Sequence, residues 1–523
     1  MLAHMDKWFC YDTTLRDGLQ ENGREITIPD TTRFAQKLDN MGFSWCEAGF
    51  ASAGENQMNR IKALVDLNLK NTKITAFGRT RGKNETVENA VDLNAILDSG
   101  VKTATLVGKV RKRDIKNSLK TDEKTNLAMI SDSIKYFKDK GLSVVFDAEH
   151  FFDGMAEDEK LTLKAIEIAY KTGADWIVLC DTNGASTPDF IEKCIKSVQK
   201  TIPIKKLGIH CHNDRGRGVV CAETAYKCGV RHIQGTINGY GERCGNTDLS
   251  ILIPNLYFDE NATCLKSGKL DQLSRLSHMT AEFLNAHHRS NHPWVGSLAG
   301  HTEAGMHTSG MLRDSKSYIH ADLTKVGNRA SYGVSEQSGR SSVAVKAKEL
   351  GFDLKKEDVL KLTKLHDEML SAGYSFAGAD ASFYLLVLKS LGRKHKGEIF
   401  DAGKWEIISA GNGYEVLTKA KIEAVLKKER ITSKSVGNGP VDALNTALAK
   451  ILPKFYSDMP PFCLTDYRVK IINPDAGTGA KVRVIIESSN DEETWATVGV
   501  HENIIQASWL ALEQSVAYTL YKK

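Results

Sequence analysis

The chain has 523 residues, more than one hydrophobic core ordinarily serves, so two or three domains are expected. Hydrophobic residues at 41% and charged residues at 26% fit an ordinary globular protein, and a net charge of +5 over this length excludes the strongly basic face of a nucleic-acid binder. The opening Met1-Leu2-Ala3-His4-Met5-Asp6-Lys7-Trp8 lacks the apolar core of a secretory signal, no apolar run approaches the roughly 18 residues of a membrane span, and the ten cysteines form no Cys-x-x-Cys pair, so reduced thiols and a cytoplasmic location are expected.

Short apolar or β-branched runs recur through the first half. They predict strands at Phe9–Thr13, Trp45–Glu47, Ile74–Phe77, Thr103–Val107, Val144–Asp147, Trp176–Cys180, Leu207–Cys211 and His232–Ile237. The segments between them carry apolar residues at helical spacing, as in Thr162–Lys171. Eight βα units in about 250 residues predict a (β/α)8 TIM barrel over residues 1–264. The runner-up is a doubly wound open sheet, but no Gly-x-Gly-x-x-Gly follows the first strand. Residues 265–400 read as a helical linker region, with a Gly-, His- and Thr-rich functional loop at Leu298–Leu312. Residues 401–523 read as a C-terminal α+β domain with an approximate internal repeat. Strand-like stretches lead into Gly437-Asn438-Gly439-Pro440 and its helix, and again into Gly499-Val500-His501-Glu502-Asn503 and the last helix. Such a paired domain is a candidate for ligand sensing or dimerisation.

In a barrel the chemistry gathers at the C-terminal ends of the strands. Here those ends carry Arg16-Asp17 after strand one, Asp147-Ala148-Glu149-His150 after strand five, Asp181-Thr182-Asn183 after strand six and His210-Cys211-His212 on strand seven. Strand alternation places His210 and His212 on one face, pointing into the barrel mouth. With Asp17 they offer two nitrogens and a carboxylate, a set for Zn²⁺, Mn²⁺, Co²⁺ or Mg²⁺ with open positions, and Asn246 can add a fourth ligand. A 2-oxo acid would chelate such an ion through its carbonyl and carboxylate oxygens. Arg16 would then face the developing alkoxide, Thr182 would donate to the substrate carboxylate and Glu149 would move a proton. Each has a plainer reading: an ion pair for Arg16, a helix cap for Thr182, a surface carboxylate for Glu149.

Three stretches resemble the signatures of the DRE-TIM metallolyase superfamily: Asp12-Thr13-Thr14-Leu15-Arg16-Asp17-Gly18-Leu19-Gln20, His210-Cys211-His212-Asn213-Asp214 and Gly239-Tyr240-Gly241-Glu242-Arg243-Cys244-Gly245-Asn246. That superfamily holds isopropylmalate, homocitrate and citramalate synthases, HMG-CoA lyase and oxo-acid aldolases. Further motifs, among them Phe146-Asp147-Ala148-Glu149-His150-Phe151-Phe152-Asp153-Gly154, Ser335-Glu336-Gln337-Ser338-Gly339-Arg340 and Ala480-Lys481-Val482-Arg483-Val484, look like the long citramalate synthases. The resemblance implies an acyltransferase that joins acetyl-CoA to a 2-oxo acid, pyruvate to citramalate, for isoleucine biosynthesis. It also implies a homodimer, an amino-acid effector at the C-terminal domain, acid–base roles for Glu149 and His307 with Tyr318 as helper, and Gln20 among the substrate contacts.

Some positions depart from that branch. The stretch after strand two is Ala48-Gly49-Phe50-Ala51-Ser52, and Arg79 stands where a small residue is common. Arg111 and Arg113 crowd the strand-four loop. Added guanidinium groups match a second anionic group, so a more anionic acceptor such as phosphonopyruvate is the alternative, with Arg79 as substrate ligand. A lyase would leave the C-terminal domain unexplained. A catalytically inactive ligand sensor would have no need of Arg16, Asp17, Glu149, His210 and His212 together.

Overall fold

The structure is a computed structural model. It describes residues 5–302, 310, 314, 317–332, 340–376, 378–392, 400–412, 416–426, 429–455, 462–490 and 493–522. Two compact units emerge: residues 1–300 with 321–329, and residues 301–320 with 330–523.

The first unit is a closed parallel barrel of eight strands. They are β1 (Phe9–Asp12), β2 (Trp45–Phe50), β3 (Lys73–Arg79), β4 (Thr103–Lys109), β5 (Ser143–Glu149), β6 (Trp176–Asp181), β7 (Leu207–Cys211) and β8 (His232–Gly235). All eight stand where the apolar runs predict them. β2 to β6 run past their predicted ends because barrel closure pairs backbones whatever the side chains: Arg79 pairs with Val107, and Lys109 with Glu149. β8 ends earlier than predicted. Asn238 takes a left-handed conformation at φ 63° inside a short 3-10 turn, and that turn starts the loop carrying Asn246.

Alternation sorts each strand into two faces. Ala76, Leu106, Phe146, Leu179 and Ile209 are fully buried. They alternate with the inward set Tyr11, Trp45, Val145, Val178 and Cys180, which forms one cluster inside the barrel. The surrounding helices are well terminated. Ile28–Met41 starts on the Thr27 side chain, which accepts from the Asp30 amide, and stops at Gly42 with φ 94°. Pro188–Val198 starts in the same way on Thr187.

In the second unit two halves repeat one plan. Phe400–Gly411, Val416–Leu426 and Glu429–Gly437 (β9 to β11) form an antiparallel sheet followed by the helix Pro440–Phe455. Cys463–Ile471, Val482–Ser489 and Thr494–His501 (β12 to β14) form another, followed by the helix Ile504–Tyr521. A single core joins them: Ile422, Leu444, Leu448 and Leu452 from the first half pack with Val484, Ile486, Trp509 and Leu512 from the second.

Candidate active site at the barrel mouth

A cavity of about 520 Å³ opens at the C-terminal ends of the strands. Arg16, Asp17, Gln20, Arg79, Glu149, Thr182, His210 and His212 all line it. Tyr318 belongs to the second unit, where 48% of its side chain is exposed. His307 lies outside the described residues.

The depth of the cavity is ionic. Asp17 Oδ2 lies 3.3 Å from His210 Nε2 and 3.1 Å from an Arg16 terminal nitrogen. His210 Nε2 lies 3.3 Å from His212 Nε2. Burial alone would raise the Asp17 carboxyl, but the Arg16 charge and His210 outweigh it and hold it well below the carboxylate range. Burial and the neighbouring His210 push His212 down to about 4, so its ring is neutral at pH 7.

The orientation of His210 is set from behind. Gln234 Nε2 donates to Asp147 Oδ1 at 3.0 Å, which leaves Gln234 Oε1 to accept from His210 Nδ1 at 2.9 Å. With Nδ1 so engaged, His210 presents Nε2 to Asp17 and His212, and the Asp17 carboxylate raises the His210 pKa in spite of burial. Burial and the Glu47 charge push the Asp147 carboxyl up to about 7.

These atoms fit a metal ion. One ligand atom each from Asp17, His210 and His212 lies within 4.8 Å of the others, and all three residues are buried. Asn246 forms an isolated backbone bridge with His212, its Nδ2 donates to the Tyr240 carbonyl, and its Oδ1 is buried without a hydrogen-bond partner. Gly241, at φ 146°, makes room for that amide, since a Cβ there would run into Asn246 Nδ2. Asp17 and Glu47 are both buried, and Arg16 is the guanidinium that faces both. The buried Asp17 carboxylate and the converging ring nitrogens suit a divalent cation.

Arg16 is held rather than free. Its Nε donates to Glu47 Oε2 at 2.7 Å, and its guanidinium lies 4.2 Å from the centre of the Phe77 ring. Glu47, with no exposed surface, also accepts from Thr13 Oγ1 at 2.5 Å and from Tyr11 Oη at 2.8 Å. Sequence reasoning did not find Glu47 or Gln234. The signal available was a polar residue at an inward position of an otherwise apolar strand.

Thr182 Oγ1 accepts the His150 amide at 2.8 Å, which leaves its own hydrogen to donate into the cavity. Arg79 is committed: its Nε lies 2.6 Å from Asp92 Oδ2. Arg111 Nε is likewise 2.8 Å from Glu157 Oε2.

A family model described as HMGL-like matches residues 7–277, one described as homocitrate synthase post-HMGL domain-like matches 294–372, and one described as LeuA allosteric (dimerisation) domain matches 377–520. The (R)-citramalate synthase of Aquifex aeolicus is 38% identical over 99% of this chain and 98% of its own length. Those of Synechocystis (36% identical, 98% and 95%) and Streptomyces coelicolor (36% identical, 99% and 97%) match nearly as fully. The chain belongs to the HMGL-like family, together with the (R)-citramalate synthases.

Proposed function

We propose that the chain condenses acetyl-CoA and pyruvate with water to give (R)-citramalate and CoA. The observation that carries this reading is the Asp17–His210–His212 ligand set beside Arg16 at one barrel mouth, in a chain that matches (R)-citramalate synthases along its whole length.

Asp17, His210 and His212, with Asn246 as a fourth ligand, would hold a divalent ion, which would supply Lewis-acid polarisation of the acceptor ketone. Arg16, fixed by Glu47, sets a preorganised positive charge where the ketone oxygen becomes an alkoxide. Thr182 donates its hydroxyl hydrogen to the acceptor carboxylate, with Gln20 as a further contact. Glu149 moves the proton of the acetyl methyl group, and the family resemblance gives His307 an acid–base role with Tyr318 as helper. Water then cleaves the thioester.

Pyruvate is favoured over a more anionic acceptor because Arg79 and Arg111 are neutralised by Asp92 and Glu157. Dimerisation through the C-terminal domain is supported by the likeness of residues 377–520 to the LeuA allosteric (dimerisation) domain, and by exposed Ile408, Val416, Leu417 and Val436 on its first sheet. An amino-acid effector there, a place in isoleucine synthesis and a cytoplasmic location belong to the same reading. Among the described residues no helix is long and apolar enough to cross a membrane, and the ten cysteines are free.

The test is CoA release from acetyl-CoA, followed with a thiol reagent. Pyruvate, 2-oxobutyrate, 2-oxoisovalerate, 2-oxoglutarate, oxaloacetate and phosphonopyruvate are compared with added divalent metal. Pyruvate is expected to give the highest kcat/KM. A higher value with phosphonopyruvate or a dicarboxylate overturns the acceptor, and no release with any acid overturns the synthase.

A further inference from the structure

Lys109 and Glu149 are the last residues of the adjacent strands β4 and β5, and the register places them side by side. Lys109 Nζ lies 2.5 Å from Glu149 Oε2. Both side chains line the cavity and are about a quarter exposed, at 24% and 25%.

The backbone on each side is fixed. Asn126, buried on the neighbouring helix, donates its Nδ2 to the Lys109 carbonyl at 2.9 Å. Gly108 lets β4 pass close to β5, since a Cβ there would come within 2.6 Å of the Phe146 ring. On the other strand, His150 follows Glu149 in the left-handed region at φ 58°. A non-glycine residue there costs on the order of 1 kcal/mol or more and persists only when its surroundings hold it. Here the His150 amide is bound to Thr182 Oγ1, and the His150 ring lies 3.0 Å from Asp153 Oδ2, which also accepts from Asn183. What stays free is the rotation of two long side chains, and the ion pair closes it.

The other cations of the wall are engaged elsewhere. Arg16 serves Asp17 and Glu47, Arg79 serves Asp92, Arg81 serves Asp132 and Arg243 serves Asp214. Glu149 is left to Lys109.

We propose that Lys109 is a positioning residue for Glu149. Its ammonium holds the carboxylate against the β4 side of the wall, in the one side-chain arrangement from which Glu149 exchanges a proton with substrate. This rests on the acid–base reading of Glu149 and deepens it. A lysine that instead held the acceptor carboxylate or a CoA phosphate would act on binding.

The test compares the full-length metal-loaded enzyme with Lys109→Met, Lys109→Arg, Glu149→Gln and the double variant Lys109→Met/Glu149→Gln. Lys109→Met is expected to lower kcat on the order of 10- to 100-fold, the usual effect of a displaced reacting group, with KM for pyruvate and acetyl-CoA within about twofold. Lys109→Arg is expected to recover most of the loss. The double variant is expected to be no slower than Glu149→Gln alone, because a residue that acts only through another adds nothing once that other is gone. A rise in either KM at unchanged kcat makes Lys109 a substrate ligand and overturns the proposal. Losses that multiply in the double variant also overturn it. Full activity in Glu149→Gln overturns the reading beneath it, a different outcome from either. Should Lys109→Met not fold, Lys109→Gln carries the same comparison.

Discussion

His210 and His212 face each other through their Nε2 atoms at 3.3 Å. With Nδ1 of His210 turned to Gln234, both Nε2 atoms converge on one space beside the Asp17 carboxylate. Two ring nitrogens and a carboxylate gathered within 4.8 Å make a ligand set, so the chain should bind one divalent ion per protomer. Gln234→Leu removes the group that orients His210 and should weaken that ion about 10- to 100-fold, as loss of such supporting hydrogen bonds usually does. Calorimetric titration with Mn²⁺ or Zn²⁺ measures it, and an unchanged Kd would count against the site.

Arg16→Gln should lower kcat on the order of 10²- to 10³-fold, the usual loss when one preorganised charge is taken from an oxyanion. The same change leaves Glu47 buried without its cation, so the barrel should also lose about 3–5 kcal/mol. Steady-state kinetics and urea unfolding read the two effects separately. A folded variant with wild-type kcat would remove Arg16 from the reaction.

Tyr11 Oη sits among Glu47, Thr75 and Thr105, at 2.8, 2.8 and 2.6 Å. Tyr11→Phe strands polar groups inside the barrel and should cost about 1–3 kcal/mol. The urea midpoint should fall, while metal affinity, set one layer higher, should stay unchanged.

His232 lies fully buried between the Tyr11, Trp45 and Trp176 rings, and burial pushes it from an ordinary 6.5 down to about 3. Burial and neighbouring histidines take His288 to about 3 as well. At these two sites the unfolded chain therefore binds more protons than the folded one between these values. The share of stability that depends on these two rings should fall as pH drops below about 6.5 and level off below about 3, while Asp12 and Asp147, pushed up to about 7, work the other way. His232→Phe should reduce the slope by up to about 1.4 kcal/mol per pH unit in that window. Urea midpoints at pH 7, 6 and 5 decide it, and parallel lines for the two proteins would refute the assignment.

Arg79→Ala should change kcat/KM for pyruvate by no more than about twofold, since an exposed guanidinium already paired with Asp92 has little left to offer a substrate. A loss confined to phosphonopyruvate would instead return Arg79 to the acceptor.

Much of this site was legible without coordinates because alternation is a strong code. Two histidines spaced by one residue on a strand must share a face, and Asp17 follows a strand that can only end at the mouth. The supporting residues were not legible. Gln234 matters through its register with His210, a pairing between strands that local pattern does not encode. Glu47 looks like an interruption in an apolar strand until Tyr11, Thr13 and Arg16 converge on it. Lys109 and Glu149 read as loop because charged residues make poor strand signals, whereas closure of the barrel extends pairing to both. Asn246 was named from its place after the last barrel strand and its side-chain oxygen. The geometry adds that its carbonyl oxygen is the end left without a partner.

The two repeated halves at the C-terminal end share a single interior. Neither can therefore melt alone: loosening Trp509 or Leu512 in the last helix uncovers Leu444 and Leu448 in the earlier one. A stop codon before Cys463 would not yield a shorter working domain but a sticky sheet-and-helix fragment with its apolar flank open to water. Truncations in this region should consequently appear as insoluble protein.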